Sequence, residues 1–405
     1  MDSRPSRTQF VFAVLTATAT LGLICMGGLV TSKGVGMAVP DWPTSFGYNM
    51  FALPVQQWFH GGVFDEHTHR LWASSVGVLV VFLTRWLGGG RSRKQFAAIG
   101  MTEIIGGLVL LSLGPDWRGA GHFLAGIGGV VLLAALVWAG NPPAPGMLPR
   151  LGWIAFWLVQ VQGLLGGLRV VLDKVMVGHL TLGTLLGLAH GCLGQAFFVV
   201  LAVIALLLSP WWGNLKGTLA NRVTSRLQTW IWVGTALIVV QLLLGATMRH
   251  QHAGLAISDF PKAYGQWWPD TDLDSVARYN RLRTHDSTVT QAQIQLQMLH
   301  RLGAVAAAAT ILGTWFLAWR TAGNASPLTL LAMLWGCLVI GQFTLGMWTI
   351  WSNKAADIAT AHVAGGAMLL GVGTWLILVS GKLSLPASAT PRAVPLATFA
   401  RPVTR

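Results

Sequence analysis

Charge is scarce in this chain, and acidic residues are scarcer than basic ones. Only 10% of its 405 residues are charged, with 13 Asp and Glu against 27 Lys and Arg. Soluble domains carry about 25% charged residues, so a chain this poor in charge cannot cover a surface that faces water. Cysteine is nearly absent too. Cys25, Cys192 and Cys337 each lie inside an apolar run, and no CxxC occurs. That excludes a disulfide framework and a thiolate metal site, and leaves all three as packing residues. The formal net charge of +14 would suggest a nucleic-acid partner in a soluble protein. Here the basic residues sit in short loops between apolar runs, where they set membrane orientation, and no nucleic-acid partner is expected.

What the chain has in excess is apolar length. It is 53% hydrophobic, with 49 Gly and 20 Trp and a mean hydropathy of +0.59. Trp suits the lipid–water interface, and Gly suits close helix contacts. Runs of about 18–22 residues, enough to cross a bilayer, fall at 10–32, 67–87, 97–114, 121–140, 151–170, 180–208, 229–248, 300–320, 328–350 and 361–380. The expected fold is an all-α integral membrane protein of about ten transmembrane helices, since only helices or closed barrels satisfy their backbone in lipid. Arg4 and Arg7 followed by the run from Phe10 to Val30 are read as an uncleaved first span, too long for a signal peptide. With the N-terminus in the cytoplasm, the even-numbered loops and both termini collect Lys and Arg and almost no acids, as the positive-inside rule requires. The predicted location is a bacterial cytoplasmic (inner) membrane, with both termini cytoplasmic.

The chain also repeats itself. Gly36-Met37-Ala38-Val39-Pro40-Asp41-Trp42-Pro43 is echoed by Gly254-Leu255-Ala256-Ile257-Ser258-Asp259-Phe260-Pro261, and Gly47 by Gly265. Glu66-x-x-His69-Arg70 is echoed by Gln297-x-x-His300-Arg301, and Gln162-x-x-x-Gly166 by Gln342-x-x-x-Gly346. His190 and His362 follow at matching places. Each half has an even number of spans, which predicts two four-helix bundles related by a pseudo-twofold axis along the membrane normal. The bundles are assigned to 1–210 and 211–383, with an inserted hairpin at 97–140 and a disordered Pro/Ala/Arg-rich tail at 384–405. The segment from Thr290 to Met298 is expected to start a helix before the membrane.

A histidine or arginine entering a membrane helix is costly and needs a partner or a task. His69, His190, His300 and His362 all open apolar runs at outer helix ends, in two matching halves. Two bis-histidine haem sites are expected, His69 with His190 and His300 with His362. His179, earlier in the same run, rivals His190. His190 is preferred, because the run after it matches the length that follows the other three histidines. His122 is read as structural, and His60, His67, His250, His252 and His285 as solvated. Glu66 shares a helical face with His69 and is either a proton relay or a carboxylate complementing the helix dipole. Gln297 at the matching place cannot ionise, so the halves should differ in role. Arg70 and Arg301 are candidates for pairing with haem propionates, or snorkel to the interface.

Taken together, GGLVTSKGVGMAVPDWPTSFGYNMF (27–51), EHTHRLWASSVG (66–77), QGLLGGLRVV (162–171), HGCLGQAFF (190–198), LHRLGA (299–304) and the 342–366 segment resemble the haem A synthase family. The resemblance covers the chain apart from the hairpin and the tail. It implies a membrane enzyme of cytochrome oxidase assembly that oxidises the C8 methyl of haem O to a formyl group, giving haem A, with water as the oxygen source. It further implies haem b on His300 and His362, haem O between His69 and His190, Glu66 needed for turnover, and electrons leaving through the haem b. Implied partners are a haem O synthase, cytochrome oxidase assembly factors and an electron acceptor such as a quinone. Family members often carry a loop cysteine pair, which this chain lacks, so no thiol step carries over. The competing reading is a diheme cytochrome that exchanges electrons with quinone and alters neither haem. A repeat-built transporter fits less well, for want of helices broken at the midplane.

Overall fold

The computed structural model describes residues 6–138, 140–178, 180–215, 223–283 and 288–384. His179, His285 and the tail beyond Ser384 lie outside the described residues. Among these residues twelve α-helices follow in order, with two-residue strands and short 3-10 turns between some of them. They are α1 (Arg7–Ser32), α2 (Val63–Gly88), α3 (Arg93–Ser112), α4 (Arg118–Leu136), α5 (Leu148–Val171), α6 (Leu182–Leu208), the short α7 (Pro210–Asn214), α8 (Ser225–His250), the short α9 (Leu273–Leu282), α10 (Gln291–Ala322), α11 (Pro327–Trp351) and α12 (Ala356–Ser384). The starts carry side-chain caps that answer orphan amides: Ser6 and Thr290 form capping boxes with Gln9 and Gln293, and Thr181, Thr224 and Ser326 each accept one backbone N–H. The box at Thr290 starts α10 well before His300, as the polar stretch predicts.

Nine helical segments among the described residues are long and apolar enough to cross a membrane, and the chain is a multi-pass membrane protein. One of them, Val63–Ser112, runs for 50 residues, about 75 Å if straight, against a bilayer core of about 30 Å. It turns back at Gly89, whose φ of +54° favours glycine. The sense of the turn follows from packing. Trp86 near the end of α2 stacks on Trp138 just past α4, ring centroids 4.7 Å apart. Gly119 at the start of α4 abuts Thr44 in the loop before α2. So α4 runs alongside α2 in the same direction, and α3 runs antiparallel to both, which accounts for the tenth apolar run.

Two apolar cores organise the helices. One joins α1, α2, α5 and α6 through Ala13, Val80, Leu83, Ala155, Leu201 and Ile204. The other joins α8, α10, α11 and α12 through Ile231, Ile311, Trp335 and Leu376. Its Trp335 satisfies its indole N–H on Leu369 O at 2.9 Å. The two sets meet where Trp375 donates to Ala202 O at 3.1 Å and where Gly28 of α1 abuts Thr360 of α12.

The α3–α4 hairpin packs outside α2 and α5, and glycines hold it closed. A Cβ on Gly107 would lie 2.7 Å from Ala125 N and Gly121 O, and one on Gly100 would lie 2.7 Å from Gly128 O. Backbones in contact are a usual source of helix association in lipid. Gly107→Leu is therefore expected to wedge the hairpin open and cost about 1–3 kcal/mol, read as a lower melting temperature in detergent. Gly129→Leu is the control, since a Cβ there meets nothing within 4 Å, and its melting temperature should stay within error of the parent.

Candidate functional site

The first-half and second-half histidines come together in pairs. The His69 and His190 ring centroids are 6.5 Å apart, and so are those of His300 and His362. Metal–imidazole bonds of about 2 Å on either side, plus the ring radius, place two such centroids about 6 Å apart. Each ring also rests on a glycine of a neighbouring helix. A Cβ on Gly27 would lie 3.2 Å from His69, on Gly166 3.3 Å from His190, on Gly245 3.4 Å from His300, and on Gly346 3.2 Å from His362. The four seats come from α1, α5, α8 and α11, each against one histidine-bearing helix. Nδ1 of His190, of His300 and of His362 is buried without a hydrogen-bond partner, while Nε2 of His362 lies 3.4 Å from Gln342 Nε2. Among the described residues no three His, Cys, Asp or Glu side chains converge. A metal held here must therefore bring most of its own ligands, as iron in a porphyrin does.

All four histidines line one continuous cavity of about 1550 Å³. A site for a single small ligand measures roughly 300–1,000 Å³, so there is room for more than one. Glu66 is the one carboxylate among the lining residues, against Arg70, Arg118, Arg169, Arg249, Arg301 and Lys354. Such an excess of cations suits an anionic ligand.

Glu66 and the two mouth arginines are occupied by the loops. Glu66 Oε2 accepts from Val39 N at 2.8 Å and Oε1 from Arg70 at 2.7 Å. Arg70 also donates to the carbonyls of Val39, Asp41 and Thr44. Gln297 repeats the arrangement, its Oε1 accepting from Ile257 N at 2.6 Å, while Arg301 donates to the Asp259 and Lys262 carbonyls. In each loop an aspartate gathers two amides, Phe46 and Gly47 on Asp41, Tyr264 and Gly265 on Asp259. The φ of +77° at Gly47 and +80° at Gly265 is what lets the chain turn there, and explains why both loops carry glycine. Burial alone would raise the Asp41 pKa. The Thr44 hydroxyl, the Gly47 and Phe46 amides and the Arg70 charge outweigh it and hold the carboxyl below its ordinary 3.8.

Some residues fall elsewhere than the sequence suggests. His67 is not solvated: it is fully buried, its ring edge-on to Trp58 at 4.9 Å between centroids, because the loop folds over the first turn of α2. His250 lines the cavity rather than bulk solvent, and His122 lines it from α4. Arg169, Arg249 and Lys354 are cavity cations that spacing does not flag. Arg249 of α8 crosses between the halves to donate to Gly28 O and to Ser32 Oγ of α1. Burial, and then the charge of Arg249, lowers the pKa of Lys354 in the loop after α11. An arginine at position 169, inside the apolar QGLLGGLRVV run, was the available signal.

Residues 121–374 match the family model described as cytochrome oxidase assembly protein, COX15-CtaA. The chain is 27% identical to the haem A synthase of Rhodospirillum centenum over 335 residues, 82% of this chain and 71% of that protein. It is 24% identical to the haem A synthase of Caulobacter vibrioides over 387 residues, 92% and 96% of the two chains. It is likewise 24% identical to that of Shouchella clausii over 349 residues, 84% and 86%.

Two outcomes follow from the loop clamp. Arg70→Ala leaves Glu66 buried without its cation and is expected to cost about 3–5 kcal/mol, seen as a lower melting temperature and rapid proteolysis within 33–62. Arg70→Lys should not rescue it, because one ammonium cannot fork between several carbonyls. The second concerns pH. Since the folded pKa of Asp41 lies below the ordinary 3.8, its stabilisation is complete above that value and is lost as pH falls through the folded one. Hydrogen-exchange protection of the Phe46 and Gly47 amides should be level from neutral pH down to about 5 and fall only in stronger acid.

Proposed function

We propose, for a chain that belongs to the COX15-CtaA family of cytochrome oxidase assembly proteins, the activity its relatives are named for: it is a haem A synthase, an oxidoreductase that converts haem O to haem A. The observation that carries the assignment of roles is the pair of matched imidazole sites, one beside an ionisable Glu66 and the other beside Gln297. His69 and His190 hold the haem O substrate. His300 and His362 hold haem b, for which the facing rings, their orphaned nitrogens and the glycine seats are a fitting cradle. Haem b, when bound, supplies one-electron redox chemistry at the second site.

Oxidising the C8 ring methyl to a formyl group, with oxygen from water, releases protons and electrons. Glu66 lies three residues from His69, on the same face of α2, and is the one carboxylate lining the cavity among the described residues, so it is the group placed to take up a proton there. The same carboxylate fixes the loop through Val39 N. Arg169, Arg249 and Lys354 meet the propionates, and Arg70 and Arg301 add charge from behind their loops. The bundles at 1–210 and 211–383 divide the labour, substrate in the first and electron exit in the second. Haem O synthase upstream, cytochrome oxidase assembly factors downstream and a quinone-type acceptor are the partners this activity needs. The sites lie toward the outer face of a bacterial inner membrane, with both termini in the cytoplasm.

Haem extraction after co-expression with a haem O synthase tests the activity. Haem A, or its hydroxylated precursor, beside haem B is the expected result. Haem B alone, in two equivalents, would replace the enzyme by a diheme electron carrier. Glu66→Gln tests the carboxylate with little structural penalty, because Gln297 shows that an amide pins the loop equally well. That variant should keep its haem content and lose conversion of haem O by about 100-fold or more; turnover equal to wild type would remove Glu66 from the chemistry.

A further inference from the structure

The α3–α4 hairpin has no counterpart in the second half, yet α4 lines the same cavity as His69. Gly77 and Val81 of α2, Phe123 and Ile127 of α4, and Val159 and Gly163 of α5 all face it. Spacings of about four residues put each pair on one face of its helix. The three faces wall an apolar trough. It opens beside His69, where the Trp42 ring packs against Gly167, and is closed at the far end by Val81, Phe96, Val131 and Phe156, which pack on one another. From Arg70 to Val81 the α2 wall is about 16 Å long.

The trough is open where helix contacts usually are not. Gly77, Gly126 and Gly163, one from each wall, line it, and a Cβ on any of them would meet nothing within 4 Å. The glycines that hold α3 against α4 are the opposite case, with opposing backbone at 2.6–2.8 Å. The second half is lined differently at the matching positions. In the register set by Gln162 and Gln342, Gly163 corresponds to Phe343, whose ring packs edge-on to Phe260 at 6.3 Å between centroids. In the register set by His69 and His300, Gly77 corresponds to Ala308. At the mouth, Gln162 Nε2 is buried with no acceptor, whereas Gln342 Nε2 donates to His362 O at 2.9 Å. The first half therefore keeps Gln162 Nε2 free where Gln342 is engaged, and has Gly163 and Gly77 where the second half has Phe343 and Ala308.

We infer that the trough between α2, α4 and α5 binds a long isoprenoid chain carried by the porphyrin at the His69–His190 site, and that the inserted hairpin is its outer wall. This rests on haem O being the substrate, because haem O bears such a chain and haem B does not. The first site then selects the tailed haem by its trough. Phe343 fills the equivalent space in the second site and leaves it to haem B. Burying an isoprenoid chain is worth about 25 cal/mol per Å² of apolar surface, so a slot of this length discriminates strongly between the two haems.

Gly163→Phe installs the residue the second half carries, and Gly126→Phe fills the trough from the hairpin side. Each variant is purified after co-expression with a haem O synthase, and the ratio of tailed haem (O plus A) to haem B is measured by extraction and chromatography. The expected result is a fall of about tenfold or more in that ratio in both variants, with haem B per polypeptide unchanged as the sign of an intact fold. An unchanged ratio in both would overturn the inference and leave a lipid acyl chain as the occupant of the trough. Thiol labelling of Gly126→Cys needs no bulky side chain: haem O should protect it and haem B should not, and equal labelling with both haems would equally overturn the inference. Absence of tailed haem from the wild-type protein would instead sink the haem A synthase reading on which the inference stands.

Discussion

A guanidinium at the mouth of a membrane helix must find its acceptors within the protein, because lipid offers none. Arg70 and Arg301 find theirs in loop carbonyls, and that requirement shapes the whole end of the molecule where the histidines lie. Each arginine directly follows a histidine, so tying the arginine to the loop also fixes the height and rotation of the helix that presents the imidazole. The loop is shaped to receive it: an aspartate collects two amides, a glycine turns the chain at positive φ, and the carbonyls on either side face the arginine. Glu66 and Gln297 close the ring of contacts from below. An Asp and a Gly six residues apart in the loop, with Glu or Gln, His and Arg on the helix, therefore act as one device, present twice.

Much of this was legible in the sequence because lipid makes polar residues expensive. Four histidines opening apolar runs, in two matching registers, point to paired sites without any structural information, and the duplicated Gln-x-x-x-Gly and Asp loops mark the two halves. Less legible were properties that depend on what lies across the gap. Gly27, Gly166, Gly245 and Gly346 are four among 49 glycines, and only the approach of an imidazole separates a seat from an ordinary helix contact. His67 lies between Glu66 and Thr68 in a polar turn that reads as exposed, and is buried by a loop folded back over it. Arg70 and Arg301 read as ligand-facing cations, but spacing could not reveal that their donors go to backbone carbonyls. The reversal at Gly89 was legible as the gap between two apolar runs.

The two halves share one plan, and a handful of residues distinguish them. Where the first half has an acid the second has an amide, and where the first has Gly163 the second has Phe343. These exchanges leave the loop pins and the helix seats untouched. The hairpin adds a wall to one half only, attached through Gln160 and Glu103 at 3.1 Å and through aromatic packing around Phe96.

The reach of Arg249 into α1 has a consequence for how the protein is made. A ribosome delivers α1 through α6 to the bilayer before α8 exists, so Gly28 O and Ser32 Oγ wait for a donor that lies 221 and 217 residues further along the chain. Until α8 has inserted, the cavity lined by the first pair of histidines lacks one of its cations. A nascent half-protein thus holds an unfinished cradle. The tie between α1 and α8 can form only once the second half has arrived, so the order of synthesis sets when the two halves lock together.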